Sequence, residues 1–128
     1  MKYFRLILIL LLGVSIASCS GAKNSDPSQA TFDYLTALAA KDKTSLVNLS
    51  CKSWEEQANL EADALLSVEA ALNNVSCKVT GHENDFQLVN CTGKLDMTYG
   101  KEVRSIDLGL RTYYMSLEDG QWRVCSYK

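Results

Sequence analysis

Apolar positions fall at two periods along the chain, and the change of period divides it. Phe32, Leu35, Leu38 and Ala39 recur at helical spacing, with Ala30, Thr31 and Tyr34 flanking that face. A helix is predicted over 27–40. Asp26 can cap its free backbone N–H groups and Pro27 suits its first turn. Asp42 caps a second, short helical turn over 43–49, with Leu46, Val47 and Leu49 inward. Ser53-Trp54-Glu55-Glu56 has the capping-box form and opens a third helix, predicted over 53–73. Its apolar positions are Ala58, Leu65, Leu66, Val68, Ala70 and Leu72, and Asn73-Asn74 stops it.

After residue 74 the period becomes two. Val75, Cys77 and Val79 alternate with Ser76, Lys78 and Thr80. Gly81 to Asp85 reads as a turn. In the next run, 86–98, Val89, Cys91, Gly93, Leu95 and Met97 share one face. A hairpin centred near Asn84 sets Val79 opposite Val89 and Cys77 opposite Cys91. A second turn falls at Tyr99-Gly100-Lys101-Glu102. A long third strand, 103–117, follows, and its apolar phase slips between Leu110 and Tyr113, which predicts a bulge or bend. Asp119-Gly120 closes a tight hairpin onto a last strand, Gln121 to Tyr127. Helices first and a four-stranded antiparallel meander after them imply an α+β fold, with the helices packed on one face of a curved sheet.

The amino terminus changes the picture. Lys2 and Arg5 precede an uncharged apolar run over 6–17, which is of signal-peptide size and too short to span a bilayer. Ile16-Ala17-Ser18-Cys19 resembles the bacterial lipobox, in which cleavage precedes a cysteine that carries a diacylglycerol. The expected organisation is a signal peptide over 1–18, a lipidated Cys19 with a Gly/Ser/Asn-rich tether over 19–26, and one domain over 27–128. Two or three acyl chains would hold the protein to a membrane of the cell envelope, on its extracytoplasmic side; which membrane is left open.

Lipidation of Cys19 also resolves an odd cysteine count. Of five cysteines, Cys51, Cys77, Cys91 and Cys125 remain. Outside the cytoplasm they would oxidise, and the hairpin register favours Cys77–Cys91. Elimination then leaves Cys51–Cys125, although Cys125 alternates with Trp122 and Val124 and needs a strongly bent last strand to reach inward. No Cys-x-x-Cys motif occurs and His82 is the only histidine, so neither a redox dithiol nor a metal is expected.

The helical opening Thr31 to Leu38 followed by Lys41-Asp42, and the closing Asp119-Gly120-Gln121-Trp122-Arg123-Val124, resemble the nuclear transport factor 2-like superfamily, including small bacterial lipoproteins of unknown function within it. The resemblance spans about 27–127. It implies a cone-shaped α+β fold whose open end forms a pocket. Enzymes of that superfamily place an Asp or an Asp–His pair inside the cone. Here His82 falls in a turn, and Asp33, Asp96 and Asp107 read as solvated carboxylates, as do the Glu55/Glu56 and Glu61/Asp63 clusters.

Charge narrows the function classes. The chain carries 13 basic and 15 acidic residues, and loss of Lys2 and Arg5 leaves 11 against 15, a net −4. Basic residues are scattered, which argues against nucleic acid. No Gly-rich phosphate loop or Ser–His–Asp set occurs, and no cofactor is expected. The expectation is therefore an anchored, non-catalytic binding module for a small apolar ligand or an envelope protein. Its candidate pocket residues are Asp33, Tyr34, Trp54, Tyr113 and Trp122. The alternatives are a small isomerase- or dehydratase-like enzyme using Asp33 or a tyrosine, and a structural envelope protein that dimerises through its sheet.

Overall fold

A computed structural model describes residues 26–128. The expected signal peptide, the Cys19 anchor and most of the tether lie outside the described residues.

Helix α1 spans Pro27–Ala40, α2 spans Lys43–Asn48 and α3 spans Glu55–Ala64, the last preceded by a 3-10 turn over Lys52–Trp54. Asp26 caps α1 by accepting the Ser28 N–H at 2.9 Å, and Asp42 caps α2 by accepting the Ser45 N–H at 3.1 Å. Both caps follow the sequence expectation. The capping box does not form: α3 starts at Glu55 with no side-chain cap, and Glu55 and Glu56 instead place negative charge in its first turn.

Five strands follow, where four were expected. They are β1 Glu69–Glu83, β2 Phe86–Tyr99, β3 Glu102–Asp107, β4 Thr112–Glu118 and β5 Gln121–Tyr127, all antiparallel. The sheet order is β1-β2-β4-β5, with β3 also on β2. The extra strand arises because the long run 103–117 breaks. The Asp107 carboxylate accepts the Gly109 N–H at 2.8 Å, and this local bond competes with the ladder and turns Leu108–Leu110 into a 3-10 turn. β3 then pairs with Lys94–Tyr99 of β2, and β4 with Gln87–Asn90. Leu108 is buried at the break.

The third helix is shorter than predicted because residues 69–73 are strand. Val68, Ala70 and Leu72 fit a period of two as well as a helical face. The partner decides: Ala70 pairs with Met97 and Leu72 with Leu95. The Lys41 ammonium, carried on a left-handed residue (φ 58°) that ends α1, donates to the Val68 carbonyl and pins the turn between α3 and β1. Gly81 to Glu83 likewise belong to β1, so the turn narrows to Asn84-Asp85.

Register holds where it was predicted. Val79 faces Val89 and Cys77 faces Cys91, and the two cysteines are bonded. Cys51 and Cys125 are bonded as well. The difficulty with Cys125 is met by a bulge. Tyr114 pairs with Ser126 and Met115 with Val124, so Cys125 is the extra residue between them. The bulge keeps Val124 and Tyr127 on one face and frees Cys125 toward the segment 49–51, which bridges to Val124 in parallel and covers the edge of β5. The core lies between α1, α3 and the inner sheet face. Tyr34, Leu35, Leu38, Leu46, Ala58, Ala62, Val89, Leu95, Leu108, Tyr113, Met115 and Val124 are buried in it. No helix among the described residues is long and apolar enough to cross a membrane. The two disulfides mark an oxidising location outside the cytoplasm.

Candidate functional site

The inner face of the sheet and the two longer helices do not close completely. At the end where β2 pairs with β3, a cavity of about 180 Å³ remains between α1, α3 and the sheet. Its apolar wall comes from Leu38 of α1, Ala64 of α3, Leu65, Leu95 and Met97 of β2, and Ile106 of β3. Its polar wall is Glu61 of α3, Tyr127 of β5 and Arg111, with Tyr99 at the rim. The break at Leu108–Leu110 puts Arg111 here. An unbroken strand would continue the alternation of β3 instead.

Behind the polar wall lies a chain of hydroxyl contacts. The Tyr127 phenol donates to Glu61 Oε1 at 2.8 Å, and the buried Tyr34 phenol approaches Glu61 Oε2 at 3.4 Å. Trp54 Nε1 in turn donates to the Tyr34 oxygen at 3.1 Å, and Gln57 donates to Glu61 Oε1 at 3.3 Å. The Tyr127 ring stacks edge-on against Trp54, with centroids 5.7 Å apart, and tilts against Tyr113 at 5.6 Å. The Arg111 guanidinium lies over its face at 4.3 Å.

These surroundings hold the phenols in their protonated form. Burial, and then the Glu61 charge, push Tyr127 up to about 12. The same two causes, in the same order, raise Tyr34 further. Burial also raises Tyr113, against the pull of the Arg111 guanidinium nearby. The Tyr113 hydroxyl is buried and, among the described residues, meets no partner in hydrogen-bonding geometry.

The five residues expected at a pocket separate into two groups. Tyr34, Trp54 and Tyr113 come together as the layer directly behind the polar wall. Asp33 and Trp122 do not join them. Asp33 lies one residue off the inward face of α1, accepts from Gln29 Nε2 at 2.8 Å, and borders a surface groove shared with α2. Trp122 faces Leu117 near the β4–β5 turn, packed against another part of the core. Sequence reasoning does not bring Glu61, Arg111 and Tyr127 together. Glu61 reads as one more charge on an exposed helix face, yet it lies three residues after Ala58 and four before Leu65, both buried, at the edge of the stripe that turns to the sheet. Among the described residues, one group has metal-ligand spacing: Cys51, Glu118 and Cys125. Its two sulfurs are bonded to each other, which removes them as ligands.

No family model matches the chain, and no curated protein matches it. Solved structures do. A SEC-C motif containing protein from Rhodopseudomonas palustris superposes with a TM-score of 0.56 at 12% identity, over 84% of this chain and 80% of its own. A putative calcium/calmodulin dependent protein kinase II association domain from Xanthomonas campestris gives 0.53 at 14% identity, over 84% and 91%. The protein Aln2 from a Streptomyces species gives 0.51 at 9% identity, over 77% and 82%. The likeness is one of fold. It supports an α+β domain with helices on an antiparallel sheet, and at these identities it carries no residue of the cavity over from any of the three.

Proposed function

We propose that this chain is a lipid-anchored, extracytoplasmic binding module of nuclear transport factor 2-like shape, and that it holds a small apolar ligand without transforming it. The observation that carries the proposal is the cavity between α1, α3 and the sheet, with six apolar residues on one side and a short polar wall on the other. Ligand sites of that kind are mostly apolar with a few fixed polar groups. The size sets the ligand class: an engineered apolar cavity of about 150 Å³ takes a molecule as large as benzene. The lipobox at Cys19 and the two disulfides support the placement at the envelope.

A non-catalytic role is supported by the fate of Asp33, the acid that an enzyme reading would use, which borders a groove on the outside of α1. A partner docked on the outer sheet face has less support. By alternation with buried Val89, Cys91 and Leu95, that face of β2 is polar over Asn90, Thr92, Lys94, Asp96 and Thr98, and its apolar positions, Phe86 and Leu88, are confined to one end.

Mass spectrometry of the protein extracted from native membranes tests both halves. The expected result is a diacylglyceryl or triacyl mass on Cys19 and a co-purifying small molecule. A free thiol at Cys19 would sink the anchoring. Turnover of a compound that is lost with Glu61→Gln would sink the non-catalytic reading.

A further inference from the structure

The polar wall of the cavity has an unequal demand for partners. Glu61 is nearly satisfied: Tyr34, Tyr127 and Gln57 supply three donors to a carboxylate with about four acceptor sites. Arg111 is the opposite. Arg104 pairs with Glu102 at 3.0 Å, and Arg123 reaches Glu118 and Asp119 at 3.7 Å each. Among the described residues Arg111 has no carboxylate within ion-pairing distance, and the polar group beside it is the neutral hydroxyl of Tyr113. It is half-buried, its backbone is fixed by the Asn90 amide, which donates to the Arg111 carbonyl at 2.9 Å, and its guanidinium carbon lies 4.3 Å from the centroid of the Tyr127 ring. A planar fork of five donors, held in place at the wall of an apolar cavity, is complementary to a carboxylate.

We infer that the cavity selects a small carboxylate with a compact apolar body, its two oxygens on the Arg111 guanidinium and its body against Leu38, Leu65, Leu95, Met97 and Ile106. The inference rests on the binding reading above and names its ligand class. Glu61 lines the same wall, and its fourth acceptor site adds a second discrimination. A ligand that also carries an ammonium group, such as an apolar amino acid, would use it, whereas a simple alkyl or aryl acid would not. Both sources share the carboxylate.

The test is calorimetric titration of the full chain, disulfides formed, with hexanoate, benzoate and leucine, and with hexanol and benzyl alcohol as neutral counterparts. The acids should bind on the order of tenfold more tightly than the alcohols, the factor that one charge-assisted contact of about 1.4 kcal/mol represents. Arg111→Met should erase that preference and leave alcohol binding in place, which also shows that the variant is folded. Tighter binding of leucine than of hexanoate, abolished by Glu61→Gln, would assign the amino acid class; equal or weaker binding would assign the simple acids. Alcohols and acids binding alike, with no response to Arg111→Met, would overturn the carboxylate and leave the binding module standing. A cavity that takes none of the five would overturn both.

Discussion

The phenol of Tyr127 donates to Glu61 at 2.8 Å, and this bond joins the last strand to α3 across the back of the cavity. It depends on Tyr127 keeping its proton. Tyr127 is raised to about 12, and Tyr34 and Tyr113 are raised as well. A phenol with a higher value in the folded chain binds its proton more tightly there than in the unfolded chain. The folded state therefore holds more protons above pH ~10, the unfolded tyrosine value. The contribution of these phenols is complete below that pH and is lost as pH rises toward about 12 for Tyr127, and beyond it for Tyr34. Circular dichroism and tyrosinate absorbance followed together should show unfolding coincide with ionisation of the buried tyrosines. Full ionisation with the fold intact would refute this.

The two buried phenols of the core should respond oppositely to loss of oxygen. Tyr34→Phe leaves Trp54 Nε1 without its acceptor and takes one donor from Glu61. The expected cost is about 1–3 kcal/mol. Tyr113→Phe removes a hydroxyl that has no partner in bonding geometry among the described residues and is already desolvated. It should leave stability unchanged or raise it by up to about 1 kcal/mol. Denaturant melts of the pair of variants check the sign, and a larger loss for Tyr113→Phe would show that its hydroxyl is bonded after all.

The fold was legible in the sequence wherever a local signal and its partner agreed. Asp26 and Asp42 cap the helices they precede, and Asp119-Gly120 makes the predicted turn with both residues at positive φ. The pairing Cys77–Cys91 follows from an alternation that one turn fixes. Legibility failed where a distant partner chose between two local readings. Ala70 and Leu72 suit a helix or a strand, and only β2 decides. Asp107-Leu108-Gly109 could continue a strand, and one side-chain bond turns it. The candidate site shared that weakness. Arg111 reaches the cavity because of the break, and Glu61 reads as surface charge until Tyr127 of the last strand is set against α3, so neither was visible before those two features were known.

The disulfides should differ in weight. On the chain-entropy model the separation of 14 residues between Cys77 and Cys91 corresponds to about 3 kcal/mol, and the separation of 74 between Cys51 and Cys125 to about 4.5 kcal/mol. Replacing Cys51 and Cys125 by serine also loosens the segment 49–51 from the edge of β5. Denaturant melts of the two double-serine variants should rank them in that order. The reverse ranking would mean that the first hairpin, and not the β5 edge, limits unfolding.

Gly93 should be the glycine that the sheet cannot spare. It sits at φ 94° opposite the bulge at Asn74-Val75, where a Cβ would lie 2.5 Å from the Asn74 carbonyl oxygen and 2.6 Å from that of Asn73. Both obstacles are backbone, so neither can swing aside as a side chain would. Gly93→Ala must either flatten the bulge or part β1 from β2. If the bulge flattens, the phase that puts Leu72 on the same face as Cys77 is lost. The expected cost is several kcal/mol, beyond what positive φ alone exacts. Gly81, in the same hairpin, has nothing within 4 Å of its Cβ position, so Gly81→Ala should be close to neutral. Thermal melts of the two variants give the contrast directly. Equal stability would mean that β1 takes a second register, and it would remove the bulge from the account of how the inner face is aligned.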